Sequence, residues 1–479
     1  MHGFEGRTPV ALLLTILTIL SIIAILYFER KNYESAAGWV MIVAALPGLG
    51  LLLYLIFGDT MRYKLNRLFT SRRLEKRYGF SQKLMLLSRT DRLNTSRDYD
   101  DMITFNFRYN RSVLSFGNDA QIFTGGEEKF AALFEDIRNA RYSVNVLYYG
   151  FHQDAVGRSL VNLLTEKAGA GVKVNLMFDG VGSFFTPNRF FRELTEAGGR
   201  LCRCRPGLFD INFRNHRKIV TIDGRIAYTG GMNVGDKYIG RHRVKSPWRD
   251  TQVRITGPAV SQLQAVFFED WMCQNRPKKL EGLYNELSLY FPKEEHPGDY
   301  AVQIVHGGPE SDKESIKMSY LKMITSARKQ LLIQSPYVIP DSSILDALRL
   351  SAASGVDVRI MIPAVSGSFF LKYATDYYLD KLLDAGISVY RYHGYVHAKT
   401  MVCDGEIACI GSANLDMRSF RYDDEICAYF YDADFAQENV DVFEEDLRAC
   451  DQMRYEEFKR RGVWRKFLEG VMHIFAPLM

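Results

Sequence analysis

A pattern of polar residues and a glycine occurs twice in this chain with the same spacing. In each copy a histidine is followed two residues later by a lysine, then after five residues by an aspartate, after seven more by a glycine and after three more by an asparagine. The copies are His216, Lys218, Asp223, Gly230 and Asn233, and His397, Lys399, Asp404, Gly411 and Asn414. This agreement indicates an internal duplication, so we expect one site where two similar halves meet.

The residue types in these motifs suit a phosphodiester. On an extended segment, residues i and i+2 point to the same side, so each histidine projects together with its lysine. Two imidazoles and two ammonium groups would stabilise a transition state whose negative charge is spread over phosphate oxygens. Asn233 and Asn414 add amide donors for those oxygens, and Ser412 either donates to the phosphate or only packs.

Paired histidines permit a two-step displacement. One imidazole attacks phosphorus and the other transfers a proton, because histidine titrates near neutral pH. A carboxylate on the remaining ring nitrogen would favour the protonated form, and Asp250 and Glu425 each begin a strand-like run after a motif. Asp223 and Asp404 each precede a glycine between apolar strands, so a hairpin-turn role is at least as well supported as a chemical one. The spacing of acidic residues and histidines predicts no metal site.

The paired motifs resemble those of the phospholipase D superfamily over about residues 116–467. Longer phrases, Gly230-Gly-Met-Asn-Val-Gly-Asp-Lys-Tyr, Trp248-Arg-Asp-Thr and Gly411-Ser-Ala-Asn-Leu-Asp-Met-Arg-Ser-Phe, are similar to those of bacterial cardiolipin synthases. The resemblance implies transfer of a phosphatidyl group from one phosphatidylglycerol to another through a phosphohistidine, giving cardiolipin and glycerol without a cofactor. It implies catalytic roles for His216, Lys218, Asp223, His397, Lys399 and Asp404, and histidine-orienting roles for Glu425 and Asp250. By the same resemblance His216 is the nucleophile and His397 the acid and base.

Two positions depart from the pattern of that family. Asp423 stands where the family often has asparagine, and Gln252 stands where it often has histidine. An additional carboxylate near the site could shift a histidine pKa or change which alcohol is accepted. Neither departure removes a motif residue, so activity is still expected.

The N-terminal region predicts a membrane anchor. Residues 9–28 are almost purely aliphatic and long enough to cross a bilayer, and residues 36–57 form a second apolar span interrupted at Pro47-Gly48. A cleavable signal peptide is the alternative for the first span, but its length and the span that follows favour a two-helix transmembrane hairpin. A basic cluster follows the spans, with only Glu75 opposing it: Arg62, Lys64, Arg67, Arg72, Arg73, Lys76, Arg77 and Lys83. The positive-inside rule places this cluster in the cytoplasm, so we expect a multi-pass protein of a bacterial inner membrane with a cytoplasmic catalytic part.

The rest of the chain predicts an α/β fold of two phospholipase D-like halves. Strand-like and helix-like segments alternate in the same order before each motif, which is typical of a sheet covered by helices. The predicted divisions are an anchor at residues 1–60, a basic connector at 61–115, a first half at 116–275, a linker at 276–299 and a second half at 300–479. The last residues of the second half, from Trp464, could form an amphipathic helix that docks on the protein or lies at the membrane surface.

Three other functions share some of these features. A membrane-bound phospholipase D that hydrolyses or exchanges other headgroups would carry every motif. A membrane-tethered nuclease would need a basic groove in the halves, but the strongest basic run lies beside the spans and favours an anionic membrane over nucleic acid. A lipid-binding scaffold would tolerate loss of a motif histidine or lysine, and none is missing. The sequence leaves the oligomeric state open.

Overall fold

The computed structural model describes residues 7–30, 33–58, 100–204, 212–241, 247–274, 290–292, 295–309 and 313–475. The predicted basic cluster and most of the predicted linker lie outside these residues. All bounds and contacts below refer to the described part of the chain.

The N-terminal region forms one long helix and two short ones. Helix α1 (Arg7–Phe28) contains a stretch, Ala11–Phe28, that is long and apolar enough to cross a membrane. The second apolar segment is divided between α2 (Tyr33–Ala45) and α3 (Leu49–Phe57), whose 13 and 9 residues would extend only about 20 Å and 14 Å. A hydrocarbon core is about 30 Å thick, so neither short helix spans it alone.

Helix α3 folds back onto α2, which corrects the prediction that residues 36–57 form the second helix of a transmembrane hairpin. The rings of Trp39 and Tyr54 lie 5.3 Å apart, although a continuous helix would separate them by about 22 Å. The turn occurs at Pro47-Gly48, where proline lacks a helical N–H and Gly48 adopts a φ of 82°. The apolar helices therefore indicate membrane anchoring, but within the described residues only α1 has the length of a complete span.

The first half, together with the end of the predicted connector, contains the first motif and the strands and helices on both sides of it. The strands are β1 (Leu114–Phe123), β2 (Ser143–Tyr148), β3 (Lys173–Asp179), β4 (Arg200–Cys204), β5 (Arg214–Asn215), β6 (Ile219–Ile222), β7 (Ile226–Gly230), β8 (Trp248–Arg249) and β9 (Gln252–Thr256). The α-helices are α4 (Asp100–Asn110), α5 (Gly126–Asn139), α6 (Ala155–Gly169), α7 (Arg192–Glu196) and α8 (Ala259–Gln274), with 3-10 turns at Asn188–Phe191 and Asp236–Ile239.

The second half repeats this arrangement. Its strands are β10 (Tyr300–Gly307), β11 (Gln330–Gln334), β12 (Val338–Ile339), β13 (Asp357–Pro363), β14 (Ser388–Tyr392), β15 (Tyr395–Val396), β16 (Thr400–Cys403), β17 (Ile407–Gly411), β18 (Leu415–Asp416), β19 (Asp423–Tyr431) and β20 (Cys450–Gln452). Its helices are α9 (Ser315–Ser326), α10 (Ser342–Ala353), α11 (Phe369–Asp384), α12 (Met417–Arg421), α13 (Ala433–Leu447), α14 (Tyr455–Lys459) and α15 (Val463–Phe475).

One mixed sheet runs through both halves with the same strand order in each. The first half contributes β1-β9-β7-β6-β2-β3-β4, and the second contributes β10-β19-β17-β16-β11-β13-β14 with β20 at its edge. The halves join where β1 pairs with β10 in antiparallel register, Leu114 opposite Gln303. A buried apolar cluster at this junction takes residues from both halves, including Phe267 of α8 and Phe443 of α13. The predicted α/β fold with two related halves is confirmed.

Helices α4 and α15 pack on the second half. Helix α4, at the end of the predicted connector, contacts it through Asn106 Nδ2, 3.1 Å from the Tyr431 hydroxyl, and Asn110 Nδ2, 2.8 Å from Ser319 Oγ. The C-terminal helix α15 packs on α11, where the His473 ring stacks on Tyr377 with centroids 3.9 Å apart. Helix α15 also contacts α2 of the anchor. The amphipathic C-terminus therefore docks on the protein next to the anchor.

Candidate active site

Each motif histidine stands on an extended segment that the opposite half holds. Strand β5 runs parallel to β19, and the backbone N–H of His216 donates to the Asp424 carbonyl at 2.9 Å. Strand β15 runs parallel to β8, and the N–H of His397 donates to the Arg249 carbonyl at 2.6 Å. This exchange of short strands across the junction brings the two motifs into one cleft.

The histidines form crossed pairs with carboxylates. His216 Nδ1 lies 2.8 Å from Glu425 Oε1 of the second half, and His397 Nδ1 lies 2.7 Å from Asp250 Oδ2 of the first half. A carboxylate at Nδ1 keeps the ring hydrogen on that nitrogen and leaves a lone pair on Nε2. Both imidazoles are therefore held in the tautomer in which Nε2 can attack phosphorus or accept a proton.

The motif lysines are buried beside the histidines. Lys218 Nζ donates to the His216 carbonyl at 2.5 Å, and Lys399 Nζ donates to the carbonyl of His397. Desolvation lowers the pKa of Lys218 to about 7 and that of Lys399 to about 8, although Glu425 and Asp250 oppose the shift. Two cations that titrate near neutrality therefore flank the imidazoles, and a bound anion would favour their charged forms.

The two pairs differ in charge. Burial alone would raise the pKa of Glu425, but His216, Lys218 and Ser412 outweigh burial and lower that pKa to about 2. Burial raises the pKa of Asp250 to about 6, although Lys399 opposes it. Burial also lowers the pKa of His216 to about 4 and the pKa of His397 well below its usual value. Glu425 is therefore a fixed negative charge beside His216, whereas Asp250 can exchange a proton near neutral pH.

The predicted phosphate-binding residues have different surroundings. Asn233 Oδ1 accepts from the Gly150 N–H at 2.9 Å, and Asn233 Nδ2 donates to the Tyr238 hydroxyl at 2.9 Å. Asn414 Nδ2 donates to Asp416 Oδ2 at 3.2 Å. Each amide nitrogen carries a second hydrogen for a ligand. Both asparagines lie at the ends of the motif hairpins, as the spacing predicts.

Ser412 supports Glu425 instead of facing the cleft. Its hydroxyl donates to Glu425 Oε2 and accepts from the Ile426 N–H at 3.0 Å, and its side chain is fully buried. Of the two alternatives in the sequence, contact with phosphate or packing, the structure favours the second. Within the described residues, Ser412 contacts the site only through the carboxylate that is hydrogen-bonded to His216.

The motif aspartates lie at the far ends of the motif strands. The Asp223 carboxylate accepts from the backbone N–H groups of Arg141, Tyr142 and Ser143 at 2.7–2.8 Å. The Asp404 carboxylate accepts in the same way from residues 328–330. Asp223 follows Lys218 by five residues of extended chain, which corresponds to about 16 Å. The structure does not bring these aspartates to the histidines, and their geometry matches the turn alternative.

Two residues near the histidines, Arg217 and Gly231, are not among the site residues that the repeated motif predicts. Arg217 is fully buried and binds Asp270 at 2.5 Å and the Gly307 carbonyl at 2.9 Å. Gly231 leaves room for Asp250, because a Cβ there would overlap the Asp250 carboxylate. Arg217 lies between the histidine and the lysine of the first motif, so its position in the sequence could have identified it as a site residue. The need for glycine at residue 231 could not be predicted, because it depends on a contact with Asp250 that is distant in sequence.

Aromatic rings form the walls of the cleft. The Tyr149 ring meets His216 edge-on, with centroids 4.7 Å apart. The His397 ring lies 5.5 Å from Trp248 and 6.1 Å from Tyr395, which stack on each other at 4.6 Å. The neighbouring residues Tyr148 and Tyr149 therefore have different surroundings. Tyr148 lies in the hydrophobic core, and Tyr149 lies in the wall of the site.

One further carboxyl, that of Asp423, lies close to the pair formed by His216 and Glu425. Ligand atoms of His216, Asp423 and Glu425 lie within 4.8 Å of one another, a spacing that could hold a metal ion. Lys218 and Lys399 already supply positive charge there, and Glu425 already binds His216. The donor set therefore fits a charge-paired imidazole better than a cation site, and the absence of a metal stays a prediction.

The architecture and the crossed histidines define an enzyme of the phospholipase D type. A sequence model described as "Cardiolipin synthase, PLD-like domain" matches residues 133–271 and 320–447, and one described as "Phospholipase_D-nuclease N-terminal" matches residues 14–58. The chain belongs to the cardiolipin synthase family, within the phospholipase D superfamily.

Relatives match almost the entire chain. The major cardiolipin synthase ClsA of Bacillus subtilis is 38% identical, with 97% of this chain and 98% of the relative covered. The cardiolipin synthase of Staphylococcus aureus is 37% identical, with 97% and 95% covered. The crystal structure of phosphatidylserine synthase from Haemophilus influenzae superimposes with a TM-score of 0.61 and 15% identity, covering 78% of this chain and 97% of that chain. This last likeness concerns the fold alone.

Proposed function

We propose that this enzyme transfers a phosphatidyl group from one phosphatidylglycerol to the glycerol hydroxyl of another, releasing glycerol and forming cardiolipin. The relatives' names supply the substrate class. The observation that carries the chemistry is the pair of crossed histidine–carboxylate contacts, 2.8 Å and 2.7 Å long, flanked by two buried lysines. Such a cleft offers a nucleophile, a proton carrier and fixed positive charge to one phosphodiester.

In the proposed first step, His216 Nε2 attacks phosphorus of the donor lipid. An N–P bond forms, the bond from phosphorus to the glycerol oxygen breaks, and His397 Nε2 gives its proton to the departing alkoxide. Glu425 stabilises the positive charge that develops on the His216 ring, which is the reason to favour this histidine as nucleophile. The lysines and the second amide hydrogens of Asn233 and Asn414 bind the phosphate oxygens.

In the proposed second step, the second phosphatidylglycerol supplies its hydroxyl. Its oxygen attacks phosphorus, His397 takes the hydroxyl proton, and the N–P bond breaks to restore His216. The same histidine is thus acid and then base. His397 must begin protonated although burial lowers its pKa. The phosphodiester anion adds negative charge beside Lys218 and Lys399, which raises the pKa of His397 in the complex.

Transfer outcompetes hydrolysis only if a lipid hydroxyl reaches the phosphohistidine before water. The aromatic wall of Trp248 and Tyr395 beside His397 supports this, because it limits the water around the proton acceptor. The product of an otherwise similar phospholipase D would be phosphatidic acid, and this is the outcome that product analysis distinguishes.

We propose that the anchor holds both halves at the cytoplasmic face of a bacterial inner membrane. The basic residues from Arg62 to Lys83 support this side. The predicted two-crossing hairpin requires α2 and α3 to straighten into one span. Labelling a cysteine introduced near the N-terminus tests this: a cytoplasmic label indicates two crossings, and an external label indicates one crossing with a re-entrant α2–α3 pair.

A product assay tests the proposed reaction. Proteoliposomes of the full chain receive phosphatidylglycerol labelled in the headgroup glycerol, and lipid and water-soluble products are separated. Cardiolipin with equimolar free glycerol is expected, and both should be absent for His216→Ala. Phosphatidic acid with glycerol would make the enzyme a hydrolase, and no turnover by the unaltered chain would contradict the proposal.

The roles of the two histidines need a separate test. Phosphatidyl-p-nitrophenol has a leaving group that departs without a proton, so His397→Ala should release one burst of p-nitrophenol per enzyme and retain labelled phosphatidyl on the protein. His216→Ala should release none. The reverse pattern would exchange the two roles and leave the overall reaction unchanged.

A further inference from the structure

A second repeated phrase lies outside the catalytic motifs. Gly182-Ser-Phe-Phe in the first half and Gly367-Ser-Phe-Phe in the second have the same four residues. One phrase follows β3 and the other follows β13, which hold equivalent positions in the sheet. The duplication that produced two half-sites therefore also placed a phenylalanine pair beside each of them.

Both phenylalanine pairs are exposed. Phe184 and Phe185 are 70% and 82% exposed, and Phe369 and Phe370 are 57% and 56% exposed. Their rings contact each other within each pair, with centroids 5.4 Å and 6.0 Å apart. Exposed segments that follow strands are normally polar, so four large exposed apolar rings at two equivalent positions in the fold indicate an apolar partner.

Each phrase packs against the aromatic wall of its own half-site. A Cβ at Gly182 would overlap the Tyr149 ring, and Ser183 Oγ donates to the Tyr149 carbonyl at 3.0 Å. In the second half, a Cβ at Gly367 would lie 3.3 Å from the Tyr395 hydroxyl. Tyr149 meets His216 and Tyr395 stacks near His397, so one tyrosine separates each phenylalanine loop from a motif histidine.

The second loop is connected to the membrane anchor through a series of packed helices. Phe369 begins α11, α15 packs along α11, and α15 also contacts α2 of the anchor. Helix α15 exposes Trp464 and Phe467, residue types that favour the boundary between headgroups and acyl chains. Exposed aromatic residues therefore extend from the anchor to the edge of the catalytic cleft.

We propose that the two Gly-Ser-Phe-Phe loops form an apolar rim that inserts into the lipid bilayer on both sides of the catalytic cleft. This proposal rests on the proposed function only for the purpose of the rim, which is to keep the cleft at the depth of the lipid headgroups. Donor and acceptor lipids then reach the histidines by lateral diffusion, with their acyl chains still in the bilayer. The rim also closes the cleft to bulk water, which favours a lipid alcohol over hydrolysis.

Bromine quenching of tryptophan fluorescence tests the insertion without requiring turnover. Phe185→Trp and Phe370→Trp are prepared in the full chain in proteoliposomes of phosphatidylglycerol and phosphatidylcholine brominated on its acyl chains. The added signal, relative to the unaltered chain, should be quenched in both variants. The matched control is Tyr142→Trp, an exposed aromatic position at the start of β2, about 20 Å from the strand end near His216. It should show no quenching.

Activity gives a second, independent measurement. Phe184→Ser/Phe185→Ser and Phe369→Ser/Phe370→Ser should each lower turnover of bilayer phosphatidylglycerol about tenfold or more, because each double change removes two apolar rings from the lipid. Turnover of a short-chain, monomeric phosphatidylglycerol should be unchanged. Leu350→Ser, an exposed apolar residue at the end of α10, is the control and should alter neither activity.

The outcomes separate the rim from the proposed reaction. Absence of quenching at either loop would overturn a two-sided rim, and so would an equal loss of activity on bilayer and monomeric substrate. If the unaltered chain makes no cardiolipin, the proposed function fails, but quenching at both loops would still establish the rim.

Discussion

His216 Nδ1 lies 2.8 Å from Glu425 Oε1, although the two residues belong to different halves. The reciprocal contact joins His397 to Asp250 at 2.7 Å. Each half therefore supplies the histidine of one pair and the carboxylate of the other. The pairs are geometrically similar but electrostatically different, because the pKa of Glu425 is lowered to about 2 and that of Asp250 is raised to about 6.

Glu425→Gln should abolish most of the activity while the protein stays folded. Glutamine can offer an N–H to Nδ1 and so favour the wrong tautomer, which typically reduces turnover by about 10²–10⁴-fold. Cardiolipin formation in proteoliposomes measures the effect. The control Glu135→Gln changes an exposed carboxylate on α5 and should have no effect. A Glu425→Gln variant within about threefold of the unaltered enzyme would exclude an orienting role.

Ser412→Ala should lower kcat about ten- to a hundredfold and leave KM unchanged, because one hydrogen bond to a charged group contributes about 1.5–3 kcal/mol. Ser412 holds the Glu425 carboxylate and is fully buried. A direct phosphate contact would instead appear as a higher KM. Ser351→Ala is the matched control, because it removes another buried serine whose hydroxyl binds the Ile324 carbonyl, and it should leave kcat unchanged.

Asp223→Ala and Asp404→Ala should lower stability more than catalysis. Each carboxylate accepts backbone N–H groups at a turn, and the aspartates adopt φ values of 53° and 56°. Loss of these bonds should reduce the free energy of unfolding by about 1–3 kcal/mol. Thermal unfolding and kcat per folded enzyme measure the two effects.

Asparagine provides the control for these aspartates. Asp223→Asn and Asp404→Asn keep a side-chain oxygen and tolerate positive φ, so both stability and kcat should stay close to normal. A hundredfold or larger fall in kcat with unchanged stability would instead indicate that the negative charge takes part in the reaction, as the sequence motif alone allows.

The pH dependence of kcat/KM should have two limbs. Burial lowers the pKa of His216 to about 4. As pH rises through this value, the imidazole loses its proton and becomes nucleophilic, so kcat/KM increases. On the alkaline side kcat/KM falls for two reasons. In the free enzyme His397, whose pKa is lowered by burial, loses the proton that the leaving group needs, and above about pH 7 and then 8 the ammonium groups of Lys218 and Lys399 lose their charge.

Mixed micelles of short-chain phosphatidylglycerol allow this profile to be measured without a change of membrane. Lys399→Arg should move the alkaline limb toward higher pH, because arginine stays protonated. A profile that stays flat to about pH 9 would mean that neither lysine titrates in the working range.

Asp423→Asn should change little at the acidic end of the pH profile and should preserve more activity than the unaltered enzyme as pH rises. Burial, together with Glu425 and Asp416, raises the pKa of Asp423 well above its usual value, although Arg418 opposes the shift. A protonated carboxyl and an amide are nearly isosteric, so in the pH range where Asp423 is protonated kcat/KM should stay within about threefold. At higher pH the unaltered carboxyl ionises and repels the phosphodiester, whereas asparagine does not. An equal alkaline decline in both proteins would contradict this.

Sequence periodicity and the repeated spacing are sufficient to predict the general arrangement of the site. The i, i+2 placement of His216 and Lys218 predicts their common face, and the aspartate–glycine pairs predict the hairpins that return to Asn233 and Asn414. These are local relations, set by strand geometry over a few residues. The alternation of strands and helices predicts the two halves for the same reason.

The partner of each histidine could not be predicted in this way. The family resemblance implies orienting roles for Glu425 and Asp250, but which histidine each one meets depends on the exchange of β5 and β15 across the junction. Ser412 remained ambiguous, because a buried and a cleft-facing serine have the same local sequence. For the second apolar segment, Pro47-Gly48 marked an interruption, but composition does not distinguish a kinked span from α3 folding back onto α2.

The crossed pairs also bear on how the enzyme comes into existence. During synthesis the first half emerges from the ribosome well before Glu425 has been added, and an anchored nascent chain is already next to abundant lipid. His216 then has no carboxylate at its Nδ1, and His397 does not yet exist. A truncated or half-made chain therefore lacks a complete dyad, so lipid cleavage cannot begin until translation has delivered the second half and the two have docked.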